Sequence, residues 1–145
     1  MQGARILLAD DHKEMRDSVC RCLEEEFQVI GAVADGAAML EAAAQLDPDV
    51  CLLDISMPKL NGIEVANQLK QSGSRAKVIF LTIHEDMDFA QAAIKTGASG
   101  YVIKRRIASD LRRAVKEALA GRIFISSSII STIRVDQDEV PKPAA

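Results

Sequence analysis

The sequence lacks an apolar run long enough to span a lipid bilayer. Its longest runs are VCLLDI and VIFLTI, whereas a spanning helix needs about 20 apolar residues. The N-terminus, MQGARILLADD, also lacks the charged start, long apolar stretch and small-residue cleavage site of a secretory signal peptide. We therefore expect no membrane association and a cytoplasmic location.

Cysteine is scarce, and its spacing excludes the usual zinc motifs. Cys20 and Cys22 stand two apart in a predicted helix, so their side chains point in different directions. Cys51 lies in an apolar run, and the odd count of three argues against a disulfide framework. We expect all three to be buried free thiols.

The charge balance does not suggest nucleic-acid binding by this chain. The 145 residues are 48% hydrophobic and 27% charged, as in an ordinary soluble domain, and the net charge is −3. Residues 1–60 carry 12 acidic and 5 basic side chains, whereas residues 61–145 carry 9 acidic and 13 basic ones. This asymmetry predicts one acidic end and one basic face.

Short apolar runs alternate with longer helical patterns along the chain. The runs predict strands at 4–9, 27–33, 49–54, 76–82 and 100–104, and the patterns predict helices at 12–26, 36–46, 62–72, 86–96 and 111–119. This alternation predicts an α/β fold, a doubly wound five-stranded parallel sheet with helices on both faces. We expect a domain over 1–121, a C-terminal extension over 122–135 with one short further element such as a helix, and a linker or tail over 136–145.

Polar side chains follow the predicted strands, and in such sheets ligands bind at the carboxyl ends. The residues delivered there are Asp10, Asp11, Asp54, Ser56, Thr82, Ile83, His84 and Lys104. Singly, each has an ordinary explanation: Asp11 could cap the first helix, with Glu14 in capping-box register, and Lys104 could be solvated. Together they indicate a common site.

Oxygen-rich acidic clusters suit Mg²⁺, which also binds phosphate oxygens. A carboxylate can attack phosphorus and form an aspartyl-phosphate, and the transferred group then needs a cation and hydrogen-bond donors. Asp54, on the central strand, is the best nucleophile; Asp10 and Asp11 could hold the metal, while Lys104 and Thr82 supply the cation and a hydroxyl.

The segments ADDH, LLDISMPKLNG, LTIH and GYVIK resemble the receiver domains of two-component response regulators. The resemblance covers residues 4–121 and implies the flavodoxin-like receiver fold, with strand order 2-1-3-4-5. It implies a signalling phosphoacceptor rather than an enzyme, activated by phosphoryl transfer from a sensor histidine kinase. It also implies a phosphorylation-dependent homodimer contact.

The resemblance implies a role for each site residue. Asp54 would be the phosphoacceptor, and Mg²⁺ would be bound by Asp11, by Asp54, by the backbone carbonyl of Ser56 and, through water, by Asp10. The phosphoryl group would be stabilised by Thr82, by the backbone amide of Ile83 and by Lys104, with Thr82 and Tyr101 changing position on activation.

LTIHED and GRIFISSSI are most similar to the subfamily that carries a LuxR-type helix-turn-helix. The ten residues after 135 are too few for a DNA-binding helix pair, so we expect any DNA contact only through an output domain outside this chain. A fragment is favoured over a natural single-domain regulator.

Two positions depart from the pattern of the family. Ile83 is bulky where a small residue is frequent, so it could restrict access to the phosphoryl group. Arg105 replaces a frequent cis-proline, which leaves open whether the Lys104–Arg105 bond is trans and where Lys104 lies. Ser56 and His84 occupy variable positions that tune dephosphorylation. The basic run over 104–116 is either a solvated surface or a docking surface.

Three other classes remain as alternatives. An aspartate-nucleophile phosphatase would need a second aspartate where Ser56 stands. A nucleotide-binding protein would need a glycine-rich loop, and ADDHKEM contains no glycine. A degenerate receiver acting as a constitutive interaction module is disfavoured by the complete acidic set.

Overall fold

The computed structural model describes residues 3–126, which form one parallel sheet covered by helices on both faces. The strands are Arg5–Ala9 (β1), Gln28–Val33 (β2), Val50–Asp54 (β3), Lys77–Thr82 (β4), Gly100–Ile103 (β5) and Phe124–Ile125 (β6). The order is β2-β1-β3-β4-β5-β6, with every neighbouring pair parallel. The predicted order 2-1-3-4-5 is thus confirmed, and a short sixth strand extends it.

Within residues 3–126, five α-helices connect and follow the strands, as the sequence pattern predicts. They are Lys13–Leu23 (α1), Gly36–Leu46 (α2), Gly62–Gln71 (α3), Met87–Lys95 (α4) and Ile107–Leu119 (α5). A short 3₁₀ turn, Lys104–Arg106, joins β5 to α5.

The sheet has a separate apolar core on each face. Leu7 and Leu53 point into the core shared with α2, α3 and α4, whereas the neighbouring Ile6 and Leu52 point into the core under α1 and α5. All five residues of β3 are buried, because this central strand is covered on both faces. The sheet therefore holds the ends of its central strands in fixed positions.

The start of α1 corrects one prediction. Its N-cap is His12 and not Asp11, and no side chain caps it. The Asp10 carboxylate instead accepts a hydrogen bond from the His12 backbone amide at 2.9 Å, and His12 Nδ1 lies 3.0 Å from Asp11 Oδ1. The turn after β1 is thus built around Asp10, which leaves the Asp11 carboxylate outside the helix.

The cysteines are free, as predicted, but only Cys51 is buried. Cys20 and Cys22 are partly exposed on α1, so the expectation that all three are buried is wrong for these two. The helix turns them toward the edge of the core because they stand two positions apart.

The described part of the C-terminal extension, residues 122–126, contains β6, which pairs with β5. Residues 127–145 lie outside the described residues, so the predicted domain limits, the short helix and the tail stay predictions. Within residues 3–126, no helix has the length and apolar character needed to cross a membrane.

Candidate functional site

The candidate site lies where the order of the strands reverses, between the carboxyl ends of β1 and β3. Four parallel strands, β1, β3, β4 and β5, end at this edge of the sheet, and the contacts described below join residues from all four. The residues that meet here are Asp10, Asp11, His12, Asp54, Ser56, Thr82, His84, Tyr101 and Lys104.

Two buried carboxylates share one ammonium group at the centre of the site. Lys104 Nζ lies 2.8 Å from Asp10 Oδ2 and 3.3 Å from Asp54 Oδ2. Asp10 is fully buried, Asp54 is 4% exposed and the Lys104 side chain is 10% exposed. Because buried charges are stable only when paired, Lys104 is essential to this arrangement. One cation nevertheless faces two anions, so the cluster carries excess negative charge.

This environment changes the acidity of Asp54. Burial raises the pKa of its carboxyl to about 6, and the nearby negative charge of Asp10 raises it too, while Lys104 and the Ser56 amide act in the opposite direction. The stabilising contacts are few: Ser56 N donates to Asp54 Oδ1 at 3.3 Å, a long hydrogen bond. Asp54 is therefore a buried carboxylate with an incomplete set of partners.

The same edge offers a site that fits a divalent cation. One oxygen or nitrogen atom from each of Asp10, Asp11, His12 and Asp54 lies within 4.8 Å of the others. Asp10 Oδ2 is buried and makes no hydrogen bond of good geometry among the described residues, although Lys104 Nζ is close to it. Such an acidic, oxygen-rich group is typical of a hard-cation site. His12 was not predicted to belong to it, although it follows the Asp10–Asp11 pair directly.

The backbone after β3 comes very close to the start of α3. A Cβ atom at Gly62 would lie 2.5 Å from the carbonyl oxygen of Asp54, so only glycine fits there. Gly62 N donates to Ile55 O at 2.8 Å, and the Asn61–Glu64 capping box starts α3 at this point. These contacts fix the loop that follows Asp54.

His84 connects three parts of the site, which the sequence did not indicate. Its backbone amide donates to Thr82 Oγ1 at 3.0 Å, and its carbonyl accepts from the Tyr101 hydroxyl at 2.8 Å. Its ring lies 3.4 Å from Ser56 Oγ and stacks on Phe89 of α4, with the ring centroids 3.9 Å apart. The backbone contacts involve no side-chain pattern, so residue spacing could not predict them.

Tyr101 is fully buried against this loop. Burial raises the pKa of its hydroxyl to about 12, with a hydrogen bond from Thr82 lowering it and the charge of Asp86 raising it. The hydroxyl is thus neutral and acts as the donor to His84 O. Thr82, His84 and Tyr101 form one connected unit beside the acidic cluster.

The two departures have clear structural outcomes. The Ile83 side chain is 71% exposed, so it projects into solvent and does not fill the site. No cis peptide bond occurs between residues 3 and 126, so the Lys104–Arg105 bond is trans, and Lys104 still reaches both carboxylates. Arg105 pairs with Glu85, its Nε donating at 3.0 Å.

Most of the basic run over 104–116 has partners within the chain. Arg106 pairs with Asp110, and Lys116 lies 2.6 Å from Glu26, which Arg112 also approaches. Most of these cations are therefore engaged by acidic neighbours, as on a solvated protein surface.

Fold and site together define a class: a doubly wound parallel α/β domain with an acidic pocket suited to a phosphoacceptor. Residues 6–116 match the family described as Response regulator receiver domain, and the chain belongs to that family. It is a signalling phosphoacceptor domain and not a conventional enzyme.

Its relatives include transcription regulators. The chain is 39% identical over 127 residues to the transcriptional regulatory protein DegU of Brevibacillus brevis, covering 86% of this chain and 54% of that protein. It is 32% identical over 130 residues to the nitrate/nitrite response regulator protein NarL of Escherichia coli K12, covering 88% and 60%. The chain thus spans little more than half the length of these curated relatives.

A solved structure has the same fold over its whole length. The two-component response regulator of the LuxR family from Aurantimonas sp. SI85-9A1 superposes with a TM-score of 0.89 at 31% identity, covering 94% of this chain and 99% of that one. The resemblance to this subfamily predicted from the sequence is confirmed.

Proposed function

We propose that this chain is a phosphorylation-operated switch in which Asp54 accepts a phosphoryl group from the phosphohistidine of a sensor histidine kinase. The observation that carries the proposal is the position of Asp54, buried with Asp10 and sharing the single ammonium of Lys104. A buried carboxylate with surplus negative charge and few partners is suited to receive a cation and an electrophile.

The donor set would suit Mg²⁺. Asp11 and Asp54 would hold the ion directly, Asp10 would act through water, and Ser56 would offer its backbone carbonyl. When bound, the ion supplies positive charge that screens the attacking carboxylate and the phosphoryl oxygens.

In the reaction, one Asp54 oxygen forms a bond to phosphorus as the phosphorus–nitrogen bond of the phosphohistidine breaks. The bonding electrons leave with the imidazole. Lys104, which now pairs with Asp10 and Asp54, is close enough to pair with the transferred phosphoryl group. Thr82 would donate its hydroxyl hydrogen to that group, and the backbone amide of Ile83 would donate a second hydrogen bond.

Activation would then involve the unit formed by Thr82, His84 and Tyr101. Because Thr82 Oγ1 accepts from His84 N, and Tyr101 binds His84 O, a shift of Thr82 toward the phosphoryl group disturbs the Tyr101 contact. The population of states at the surface of α4 and β5 would change with it. A phosphorylation-dependent homodimer and control of DNA binding through a further domain complete the proposal, as does a cytoplasmic location.

The test is phosphorylation by a small phosphodonor. Incubation of the protein with acetyl phosphate and Mg²⁺ is expected to add one phosphoryl mass to the wild type and none to Asp54→Asn. Asp49→Asn, a matched aspartate substitution immediately before β3 and therefore at the end of the strand away from the site, should be labelled like the wild type. Equal labelling of Asp54→Asn and the wild type, measured by intact-protein mass spectrometry, would show that the assignment is wrong.

A further inference from the structure

Ser126 lies where the described chain ends, and it is completely buried. Its hydroxyl oxygen accepts a hydrogen bond from Ile103 N at 3.0 Å and donates its hydrogen to Asp110 Oδ2 at 2.9 Å. Its backbone amide donates to Tyr101 O at 3.0 Å. One residue of the C-terminal extension therefore contacts both the end of β5 and the start of α5.

Asp110 completes this network at the first turn of α5. It is 7% exposed, and its carboxylate accepts from Arg106 Nε at 2.9 Å as well as from Ser126. The Ser109 hydroxyl, which is exposed, donates to the other oxygen at 3.1 Å. The carboxylate is thus paired with a cation and saturated with donors, which makes its burial stable.

Residues of this network lie on both sides of Lys104 in the sequence. Ile103 binds Ser126, and Arg106 binds Asp110, so both sides of the short segment 103–106 are attached to the same pair of residues. Lys104, between them, contacts Asp10 and Asp54. Ile103 also stands beside Thr82 in the sheet. A displacement of Lys104 therefore acts on the contacts of Ser126 directly through its neighbour Ile103, and indirectly through Arg106, two residues further along the chain, and Asp110.

We propose that Ser126, together with Asp110, is a positioning residue for Lys104 that couples the phosphorylation state of Asp54 to the chain leaving the domain. This inference rests on the proposed function. Movement of Lys104 toward a phosphoryl group strains the Ile103–Ser126 and Arg106–Asp110 bonds, which changes how firmly β6 is held on β5. By thermodynamic reciprocity, loosening β6 changes the affinity of the site for a phosphoryl group by the same factor.

The test combines amide hydrogen exchange with ligand affinity in the full chain, using beryllofluoride with Mg²⁺ as a stable phosphoryl mimic. In the wild type, beryllofluoride should change the exchange rate of the amides in residues 122–126 by several-fold. Ser126→Ala should make these amides exchange at least about tenfold faster and change beryllofluoride affinity by roughly fivefold or more. Ser126→Thr, which keeps the hydroxyl, should restore most of the affinity.

Ser109→Ala is the matched control, because the side-chain hydrogen bonds described for Ser109 go to the same carboxylate and to Arg106 O, and not to β5 or β6. The affinity of Ser109→Ala for beryllofluoride should stay within twofold of that of the wild type. If beryllofluoride binds the wild type but leaves residues 122–126 unchanged, the coupling is overturned while the proposed function stands. If Ser126→Ala folds and binds beryllofluoride like the wild type, the coupling is likewise overturned. Failure of the wild type to bind beryllofluoride overturns the proposed function and the coupling with it.

Discussion

Two buried carboxylates of this domain, Asp54 and Asp110, have opposite properties. Both are almost fully buried, at 4% and 7% exposed. Burial raises the pKa of Asp54 to about 6. Burial also acts to raise the pKa of Asp110, but hydrogen bonds from Arg106, Ser126 and Ser109 outweigh it and bring that pKa below its ordinary value. Low solvent exposure alone therefore does not determine the pKa of a carboxylate.

The two carboxylates differ in their ion-pair and hydrogen-bond partners. Asp110 has a guanidinium of its own and two hydroxyl donors. Asp54 shares the Lys104 ammonium with Asp10 and has one long hydrogen bond from Ser56. A saturated carboxylate is inert and holds structural elements together, whereas an undersupplied one has free lone pairs for a cation or an electrophile. The number of donors therefore distinguishes Asp110, a structural carboxylate, from Asp54, the proposed phosphoacceptor.

The strongest test of this contrast removes the shared cation. Lys104→Ala leaves Asp10 and Asp54 as adjacent buried carboxylates without their ammonium partner. We expect the metal-free protein at pH 7 to lose about 3–5 kcal/mol of unfolding free energy, the usual effect of breaking a buried ion pair. Urea unfolding followed by circular dichroism measures the change.

Lys59→Ala is the control for this variant. Lys59 is also close to a carboxylate, 3.5 Å from Asp35, but its side chain is 67% exposed. Exposed ion pairs contribute little to stability because solvent screens them, so the unfolding free energy of this variant should stay near that of the wild type. If Lys104→Ala and Lys59→Ala both lose similarly little unfolding free energy, Lys104 does not neutralise the buried pair Asp10 and Asp54.

A smaller loss is expected from Asp110→Asn. The variant keeps the shape of the side chain but removes the charge that Arg106 and Ser126 bind. Hydrogen bonds to charged groups contribute about 1.5–3 kcal/mol, so we expect a loss of about 2 kcal/mol at pH 7. Because the folded pKa of Asp110 is lowered, its contribution is present above the unfolded value near 4 and is lost as the pH falls through the folded value.

Unfolding measurements between pH 2.5 and 7 should therefore show the wild type and Asp110→Asn converging at the acidic end. Asp88→Asn provides the comparison, since Asp88 is an exposed carboxylate in the first turn of α4. Its loss should be below about 1 kcal/mol. If the difference in unfolding free energy between the wild type and Asp110→Asn does not change with pH, the role assigned to the charge of Asp110 is contradicted.

The sequence predicted the surroundings of Asp54 far better than those of Asp110. Alternating patterns predict the order of strands and helices, and the carboxyl-end rule then brings Asp10, Asp54, Thr82 and Lys104 together without any contact information. Asp110, in contrast, is simply an acidic residue in the first turn of a helix, a position that favours exposed carboxylates. No local pattern indicates that it is buried.

Its partner Ser126 was missed for a related reason. A two-residue strand such as β6 is too short for any alternation to be detected, and Ser126 stands 16 residues from Asp110. The prediction that Asp11 could cap α1 was wrong for a different reason. Asp11 and Glu14 fit the capping-box spacing, but Asp10 accepts from the His12 amide and organises the turn instead. Tertiary contacts overrode the local rule in both cases.

Of the three variants Lys104→Ala, Asp110→Asn and Asp54→Asn, the last should change the unfolding free energy least, and it should stabilise the protein where the other two destabilise it. Ionised Asp54 is unfavourable in the metal-free fold, because its folded pKa of about 6 lies above its unfolded value near 4. Its contribution is therefore fully present below pH 4 and is lost as the pH rises toward and through 6. Asparagine removes this loss but also weakens the Lys104 contact, so we expect a net stabilisation of about 1–2 kcal/mol at pH 7.5.

Unfolding in urea and a chelator, from pH 4 to 7.5, should show the advantage of Asp54→Asn growing between about pH 4 and 6 and remaining constant above. Glu41→Gln, which changes an exposed carboxylate on α2, should show no such growth. A destabilised Asp54→Asn at pH 7.5 would mean that Lys104 and Ser56 satisfy this carboxylate as fully as Arg106 and Ser126 satisfy Asp110. The excess negative charge, and with it the reason for the proposed binding of a cation at Asp54, would then have to come from Asp10 and Asp11 alone.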